Sequence, residues 1–394
     1  MIAVYKQIEE LLENAFDEMV DIRRFLHQHP ELSFEETETP KYIADYHQKL
    51  GHTVRTNVGG RGVVAELDSG KEGPVIALRA DFDALPMQDA KDVPYKSTVP
   101  GVTHACGHDA HTALLLVLAK VLNEHQAELN GKVVFIHQFA EEVIPGGAIS
   151  MIEDDCLEGV DEVYGTHLWA TTPTGKVEYN ENALMAASDR FTIELQGTGG
   201  HGAQPHKTRD SILAATRIVD ALHHLVSRQV DPLDSAVLSI GSFEAENAFN
   251  VIADKAVLKG TVRTFSEETQ THLIDEIERT AESIATAYGT QAEVRYVKGY
   301  PALINDAAKA ENIRAAAASI SAIDEVIHAS PQMGGEDFAY YLQHRPGAFF
   351  FTGAQHPDWE TTYPHHHPKF DIDERSMLNA AKVLGKTVVD SMAR

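Results

Sequence analysis

Three short β-rich runs, 77–80, 133–138 and 163–165, are separated by helical stretches, and each gives way at once to polar residues. Asp81 and Asp83 follow the first, Glu141 and Glu142 the second, and His167 the third. Strands alternating with helices predict a mostly parallel central sheet flanked by helices in an α/β domain. Ligand sites in open α/β sheets form at the carboxyl ends of the strands. The order of residues therefore sets acids and a histidine where such a fold does its chemistry.

The segment between the first two runs strengthens that reading. Positions 103–111 read Thr-His-Ala-Cys-Gly-His-Asp-Ala-His and are followed by an apolar run, 113–122, that predicts a helix. A free cysteine is usually a small buried apolar residue. Cys106, however, has His108 and His111 close by, and a thiolate with imidazole and carboxylate neighbours is a transition-metal ligand set. Cys106 and Cys156 are the only two cysteines, so at most one disulfide could form, which is no disulfide scaffold for a chain of 394 residues.

Other candidates carry competing readings. Adjacent acids are usually a solvated surface, but Glu141 and Glu142 follow an apolar strand and precede Pro-Gly-Gly, which favours a strand end facing a site. One could ligate a metal while the other serves as a base. His167 is balanced between a core histidine and a ligand. His365, His366 and His367 read as a solvated loop or resemble a tag remnant, but apolar Phe370 and Ile372 beyond them place them inside the fold rather than at a terminus. His201 stands in Gly-Thr-Gly-Gly-His-Gly, a flexible turn or a plain β-bulge that lacks the βαβ context of a dinucleotide motif. Leu184, Met185 and Phe338 fit core packing better than an acyl pocket.

Residues 187–299 follow a different pattern. Strands are expected at 191–195, 236–243, 250–265 and 292–297, with helices over 209–228 and 267–288, a βαββαβ order that reads as an inserted domain. Residues 1–186 and 300–394 then form the other domain, opening with an amphipathic helix over 5–27 and closing with one over 374–392. A chain of this length exceeds what one core usually supports.

The net charge of −26 opposes nucleic acid and anionic membrane as partners, since both present phosphate. The amino-terminal residues carry acids where a signal peptide is basic and then apolar, and no stretch reaches the ~18 apolar residues of a membrane helix. The expected location is the cytoplasm.

The segments Arg79-Ala-Asp-Phe-Asp-Ala-Leu-Pro86, His104-Ala-Cys-Gly-His-Asp-Ala-His111, Ala140-Glu-Glu142, Gly199-Gly-His-Gly-Ala-Gln-Pro-His206, Asn250-Val-Ile, Gly260-Thr-Val-Arg263, Gly335-Glu-Asp-Phe338 and His366-His-Pro368 occur in this order along nearly the whole chain. Together they resemble the M20 metallopeptidase family. Within it they are similar to the amidohydrolase branch of aminoacylases, hippurate hydrolases, auxin-conjugate hydrolases and N-acetyldiaminopimelate deacetylases. Phe139, where the branch has Pro, and the longer loop Val143-Ile144 depart from the pattern and leave the pocket beside Glu141 open.

The resemblance implies two divalent ions per subunit, Zn²⁺ or Mn²⁺, bridged by Cys106. His108 and His167 would complete one site, and Glu142 and His366 the other. It implies Glu141 as general base, Asp83 as an orienting residue, His201 and Asn250 at the tetrahedral oxyanion, and Arg263 at a substrate carboxylate. The peptidase branches carry His where this chain has Asp81, and a bridging carboxylate where it has Cys106. That departure favours hydrolysis of N-acyl amino acids to a carboxylic acid and an amino acid. A dipeptidase of the same family is the nearer alternative, and a non-catalytic metal-binding protein on the same scaffold the more distant one. The resemblance also implies a lid and homodimerisation role for the inserted domain, 187–299.

Overall fold

The structure, a computed structural model, describes residues 2–393. Residues 1 and 394, the outermost positions of the expected metal-binding domain, lie outside the described residues. The chain divides into two compact units, Met1–Leu184 with Ile304–Pro331 and Asp337–Arg394, and Met185–Leu303 with Gln332–Glu336.

The first unit is built on an eight-stranded sheet whose middle is parallel. Lys132–Gln138, Val75–Asp81, Glu162–Pro173 and Gly347–Gln355 lie side by side in that order, all parallel. These strands are nearly continuous apolar runs, as strands buried on both faces must be. Antiparallel strands Gly62–Asp68 and Thr53–Val58 extend one flank. Lys176–Tyr179, antiparallel to Gly347–Gln355, and Glu325–His328 extend the other. The helix His108–Glu124 is buried along almost its whole length and packs against Phe16–Gln28 and Arg375–Ser391. An apolar sequence on all sides is what such a central position requires.

Two boundaries differ from expectation in this unit. The expected helix over 5–27 is two helices, Ile2–Asn14 and Phe16–Gln28, parted at Ala15. The buried stripe of Tyr5, Ile8, Leu12, Met19, Ile22 and Leu26 runs through both, so periodicity hides the break. The short run 163–165 extends to Glu162–Pro173, because pairing with Gly347–Gln355 carries the strand on through polar Thr166 and His167. Leu184 and Phe338 are buried in this unit and Met185 in the other, where they serve packing.

Three buried histidines of the first unit cluster with one another. His47 contacts His52 and His137, each pair of ring nitrogens 2.9 Å apart, and His52 stacks on Phe135. Burial, with the two neighbouring rings, pushes His47 down to about 2, and burial pushes His137 down to about 3. Both are therefore neutral in the folded chain over the pH range where the unfolded chain takes up their protons. Their effect is absent above about pH 6.5, and below it stability falls by about 1.4 kcal/mol per pH unit for each such ring. Thermal unfolding should show Tm falling between about pH 7 and about pH 5. His137→Gln, which keeps a polar partner for His47 but does not titrate, should flatten that slope, and an unchanged slope would refute the assignment.

The second unit has a four-stranded antiparallel sheet in the order Ala236–Glu244, Lys255–Thr264, Ala187–Gln196, Gln291–Tyr300. Helices Ser211–Gln229 and Glu267–Ala287 cover one face, and Phe191, Ile193, Leu195, Ile218, Leu222, Leu258, Leu273 and Ile277 fill the space between. Burial alternates along Ala187–Gln196, as one covered face demands. Asp210 caps the first helix by accepting from the Ile212 and Leu213 amides, and Ser266 caps the second through the Thr269 amide. The strand expected over 250–265 is split into Val251–Ile252 and Lys255–Thr264, the former pairing with Gly200–His201. Among the described residues no helix is long and apolar enough to cross a membrane.

Candidate metal centre

Cys106 lies just before the helix His108–Glu124. Gly107 takes the left-handed conformation there, φ 94°, and lets the loop turn into the helix. The first helical residue is His108, and His111 follows one turn later. Asp81 and Asp83 leave the end of Val75–Asp81, Glu141 and Glu142 follow Lys132–Gln138, and His167 projects from Glu162–Pro173. The last segment, 365–367, reaches the same edge, where the His366 amide donates to the Ala105 carbonyl at 2.8 Å.

Several donor groups overlap here, and two of them contain Cys106. Cys106, His108 and His167 each offer a donor atom within 4.8 Å of the others, and so do Cys106, Glu142 and His366. Cys106 belongs to both. Its Sγ is 3.3 Å from His167 Nε2, and His366 Nε2 is 3.2 Å from Glu142 Oε2. Glu141 forms a further overlapping set with His108 and Glu142 and is 7% exposed.

The ring nitrogens are already assigned by their neighbours. His108 Nδ1 is 3.1 Å from Asp83 Oδ1, and His167 Nδ1 is 3.0 Å from the Leu168 carbonyl, which leaves each Nε2 facing the cluster. His108 Nε2 and Glu142 Oε1 are buried without a hydrogen-bond partner among the described residues. Leaving such atoms unsatisfied costs about 1–3 kcal/mol each, a cost that a bound cation removes.

Electrostatics point the same way. Burial opposes charge on His108, but Asp81, Asp83 and Glu142 outweigh it and push its pKa up to about 10. Burial raises the Cys106 thiol well above its ordinary range, and Glu142, Glu141 and Asp81 add to the rise. The site has an excess of negative groups around a thiol and imidazoles. Metal ions fit that donor set, soft at the thiolate and borderline at the rings.

Several neighbours have roles that residue order does not reveal. His111 uses both nitrogens within the protein, Nδ1 against Asp81 Oδ1 at 2.7 Å and Nε2 accepting the Leu168 amide at 3.0 Å. It therefore supports the strand beside His167 rather than joining a ligand set with Cys106 and His108. Behind it, Arg79 bridges Asp81 and Asp337, and Gln138 donates to Asp337. Spacing gives a partial signal for Asp81, which ends its strand two residues before Asp83. His365 donates to the Leu168 carbonyl at 3.0 Å, and burial helps push its pKa down to about 4. Half-buried His367 accepts the Lys369 amide. Cys106 and Cys156 are both free and buried, so the one possible disulfide is absent.

Asp83 is the hinge of this arrangement. Besides His108, its Oδ2 accepts the Glu142 amide at 3.0 Å and the Ser33 hydroxyl at 2.7 Å. Asp83→Asn should weaken metal binding by about 10–100-fold, read by titration against a competing chelator. Wild-type affinity would show that the ring and the turn hold their places without it.

His201, Asn250 and Arg263 belong to the second unit. His201 lies in the ribbon with Val251–Ile252 rather than in a loose turn or a bulge, exposed, its Nδ1 accepting the Ala203 amide at 3.0 Å. The Gly202 amide donates to the Asn250 carbonyl at 2.8 Å, so His201 and Asn250 are neighbours. A Cβ at Gly202 would meet that carbonyl oxygen at 2.9 Å, which explains the glycine. Arg263 is half-buried, with Nη1 donating to the Val262 carbonyl at 3.0 Å and to Thr261 Oγ1.

Donor groups gathered at the carboxyl ends of a mainly parallel sheet are what a metal-binding α/β hydrolase presents. Residues 77–390 match the family described as Peptidase family M20/M25/M40, and the chain belongs to that family. YhaA of Bacillus subtilis (strain 168), a protein given an amidohydrolase name, is 54% identical over 98% of this chain and 97% of its own length. The N-acetyl-L-cysteine deacetylase of the same organism is 42% identical over 95% of this chain and 89% of its own. The crystal structure of Bacillus subtilis YXEP, described as a dinuclear metal binding peptidase from the M20 family, superposes with a TM-score of 0.84 at 36% identity, covering 97% of this chain and 99% of that one. The chain is a hydrolase acting on amide bonds.

Proposed function

We propose that this enzyme hydrolyses N-acyl amino acids, adding water across the amide to release a carboxylic acid and an amino acid. In this reading Cys106, His108 and His167 would hold one divalent ion, Zn²⁺ or Mn²⁺, and Cys106, Glu142 and His366 would hold a second. The observation that carries it is the membership of Cys106 in both ligand sets. When bound, such ions make water a better acid and polarise a carbonyl oxygen. Glu141 takes the proton from the attacking water on its carboxylate and returns it to the leaving nitrogen, so that the amine departs neutral. Asp83 keeps His108 turned toward the cluster.

The residues of the second unit complete the reading. His201 and Asn250 would donate to the oxygen that gains charge, and the Arg263 fork suits a substrate carboxylate. The second unit, by analogy with the family resemblance, serves as lid and homodimer contact. Its strand Ala236–Glu244 lies at a sheet edge, with Phe243 on it exposed. Sedimentation of the purified chain tests the dimer, and a monomer at every concentration would end that part.

The substrate class is tested by metal-depleted enzyme reloaded with Zn²⁺ or Mn²⁺ and offered N-acetyl and N-benzoyl amino acids beside unblocked dipeptides. Turnover of the blocked set is expected. Preference for dipeptides would replace this reading by a dipeptidase, and metal binding with no turnover of any amide would remove the enzyme.

A further inference from the structure

The turn that carries Glu141 and Glu142 is held in a conformation its residues disfavour. Ala140, directly before the pair, has φ 51°, the left-handed region that a residue with a Cβ seldom occupies. Such backbone strain persists only where the surroundings impose it. The Ala140 carbonyl accepts the Gly147 amide at 3.1 Å, and the Ala140 amide donates to Glu36 Oε1 at 2.9 Å. Two residues on, the Glu142 amide donates to Asp83 Oδ2 at 3.0 Å. The tripeptide 140–142 is thus gripped at both ends by carboxyl groups.

Glu36 is an expensive residue to place there. It is 0% exposed, and its Oε2 has no hydrogen-bond partner among the described residues. Arg61 does not neutralise it closely, since Arg61 Nε stands 3.9 Å from Oε2 while Nη1 donates to the Glu36 backbone carbonyl. A residue that only filled this space would be apolar, because burying a carboxyl with an unsatisfied oxygen destabilises a fold. What Glu36 does provide is an acceptor for the amide one residue ahead of Glu141. Neither its position, in the segment before the helix Glu38–Lys49, nor its distance of 104 residues from Ala140 marks it in the sequence.

We propose that Glu36 is a positioning residue for amide hydrolysis, its side-chain oxygen holding the left-handed turn at Ala140 and so aiming the Glu141 carboxylate. The proposal rests on the reading of Glu141 as the general base. The Ala140 amide needs an oxygen at the right reach rather than a negative charge. Glu36→Gln keeps that oxygen, Glu36→Met keeps the volume without it, and Glu36→Asp keeps the charge with a shorter reach.

The full-length, metal-loaded variants are compared with wild type and with Glu141→Gln for kcat, KM, bound metal and Tm. Glu36→Met is expected to lose about 10²-fold in kcat, the scale on which a small misplacement of a reacting group acts, with KM and metal content unchanged. Glu36→Gln should retain most of the wild-type kcat, and Glu36→Asp should fall toward the Met variant. Folded Glu36→Met with wild-type kcat overturns the proposal, as does Glu36→Gln impaired while Glu36→Asp is active. If Glu36→Met does not fold, the order of the Gln and Asp variants decides alone, and equal kcat in those two also counts against the role. Should Glu141→Gln keep full kcat, the base reading fails instead. An inactive Glu141→Gln beside an unimpaired Glu36→Met removes only the role of Glu36.

Discussion

Glu141→Gln should lower kcat by about 10³-fold, near the middle of what a positioned acid–base group contributes. Bound metal should stay at the wild-type level. The amide has the volume of the carboxyl and fits the same nearly closed position, 7% exposed at the end of the strand Lys132–Gln138. It cannot take a proton from water. In the proposed reading Glu141 is not among the five ligands, so the two effects separate cleanly, with turnover lost and metal kept. Elemental analysis of the purified variant beside its kcat reads both. Full turnover would assign the proton transfer elsewhere. Loss of metal together with turnover would make Glu141 a ligand, for which its closeness to His108 and Glu142 gives it the geometry.

Cys106→Ala should have the largest effect on metal. Removing one partner outside the ligand shell costs about 10–100-fold in affinity, so losing a ligand common to both sets should exceed that at both ions. Turnover should vanish with them. The neighbouring imidazoles would remain in place, because His108 is held by Asp83 and His167 by the Leu168 carbonyl, independently of the thiol. Competition with a chelator, counting ions bound per chain, is the measurement. One ion held with wild-type affinity would show that Cys106 serves one set only, and the shared-thiolate geometry would be wrong. Thermal stability offers a second reading, since a ligand present at about a hundred times its Kd adds about 2.7 kcal/mol to the folded state. Wild-type enzyme should therefore lose Tm on chelation, and the variant should lose little.

Much of the fold could be read without coordinates because its elements follow simple periods. The parallel strands are short apolar runs that end in acids or histidine, and the second unit alternates buried and exposed residues along Ala187–Gln196. Errors arose where one element is decided by another. The strand Glu162–Pro173 continues past its apolar part because Gly347–Gln355 pairs with it. Val251–Ile252 separates from Lys255–Thr264 because it pairs with Gly200–His201 instead. Periodicity within a segment carries no record of its partner.

The site divides along the same line. Cys106, His108, Glu141, Glu142, His167 and His366 were candidates from residue type and from their places after strands or before a helix. His111 has the same chemistry and similar spacing, yet Asp81 and the Leu168 amide occupy its two nitrogens. Glu36 has no motif chemistry at all, and only its hydrogen bond to Ala140 distinguishes it from the other acids in its segment.

By itself, then, the sequence determined which groups are available and at which edge of which kind of sheet, because composition and period set the elements and their ends. The tertiary structure alone decided which nitrogen or oxygen of each group points inward. It also decided which groups are already satisfied and which distant carboxyl holds a strained turn. Those outcomes depend on contacts of a few ångströms between residues far apart in the chain, such as Glu36 and Ala140, 104 positions apart, and no local pattern encodes them.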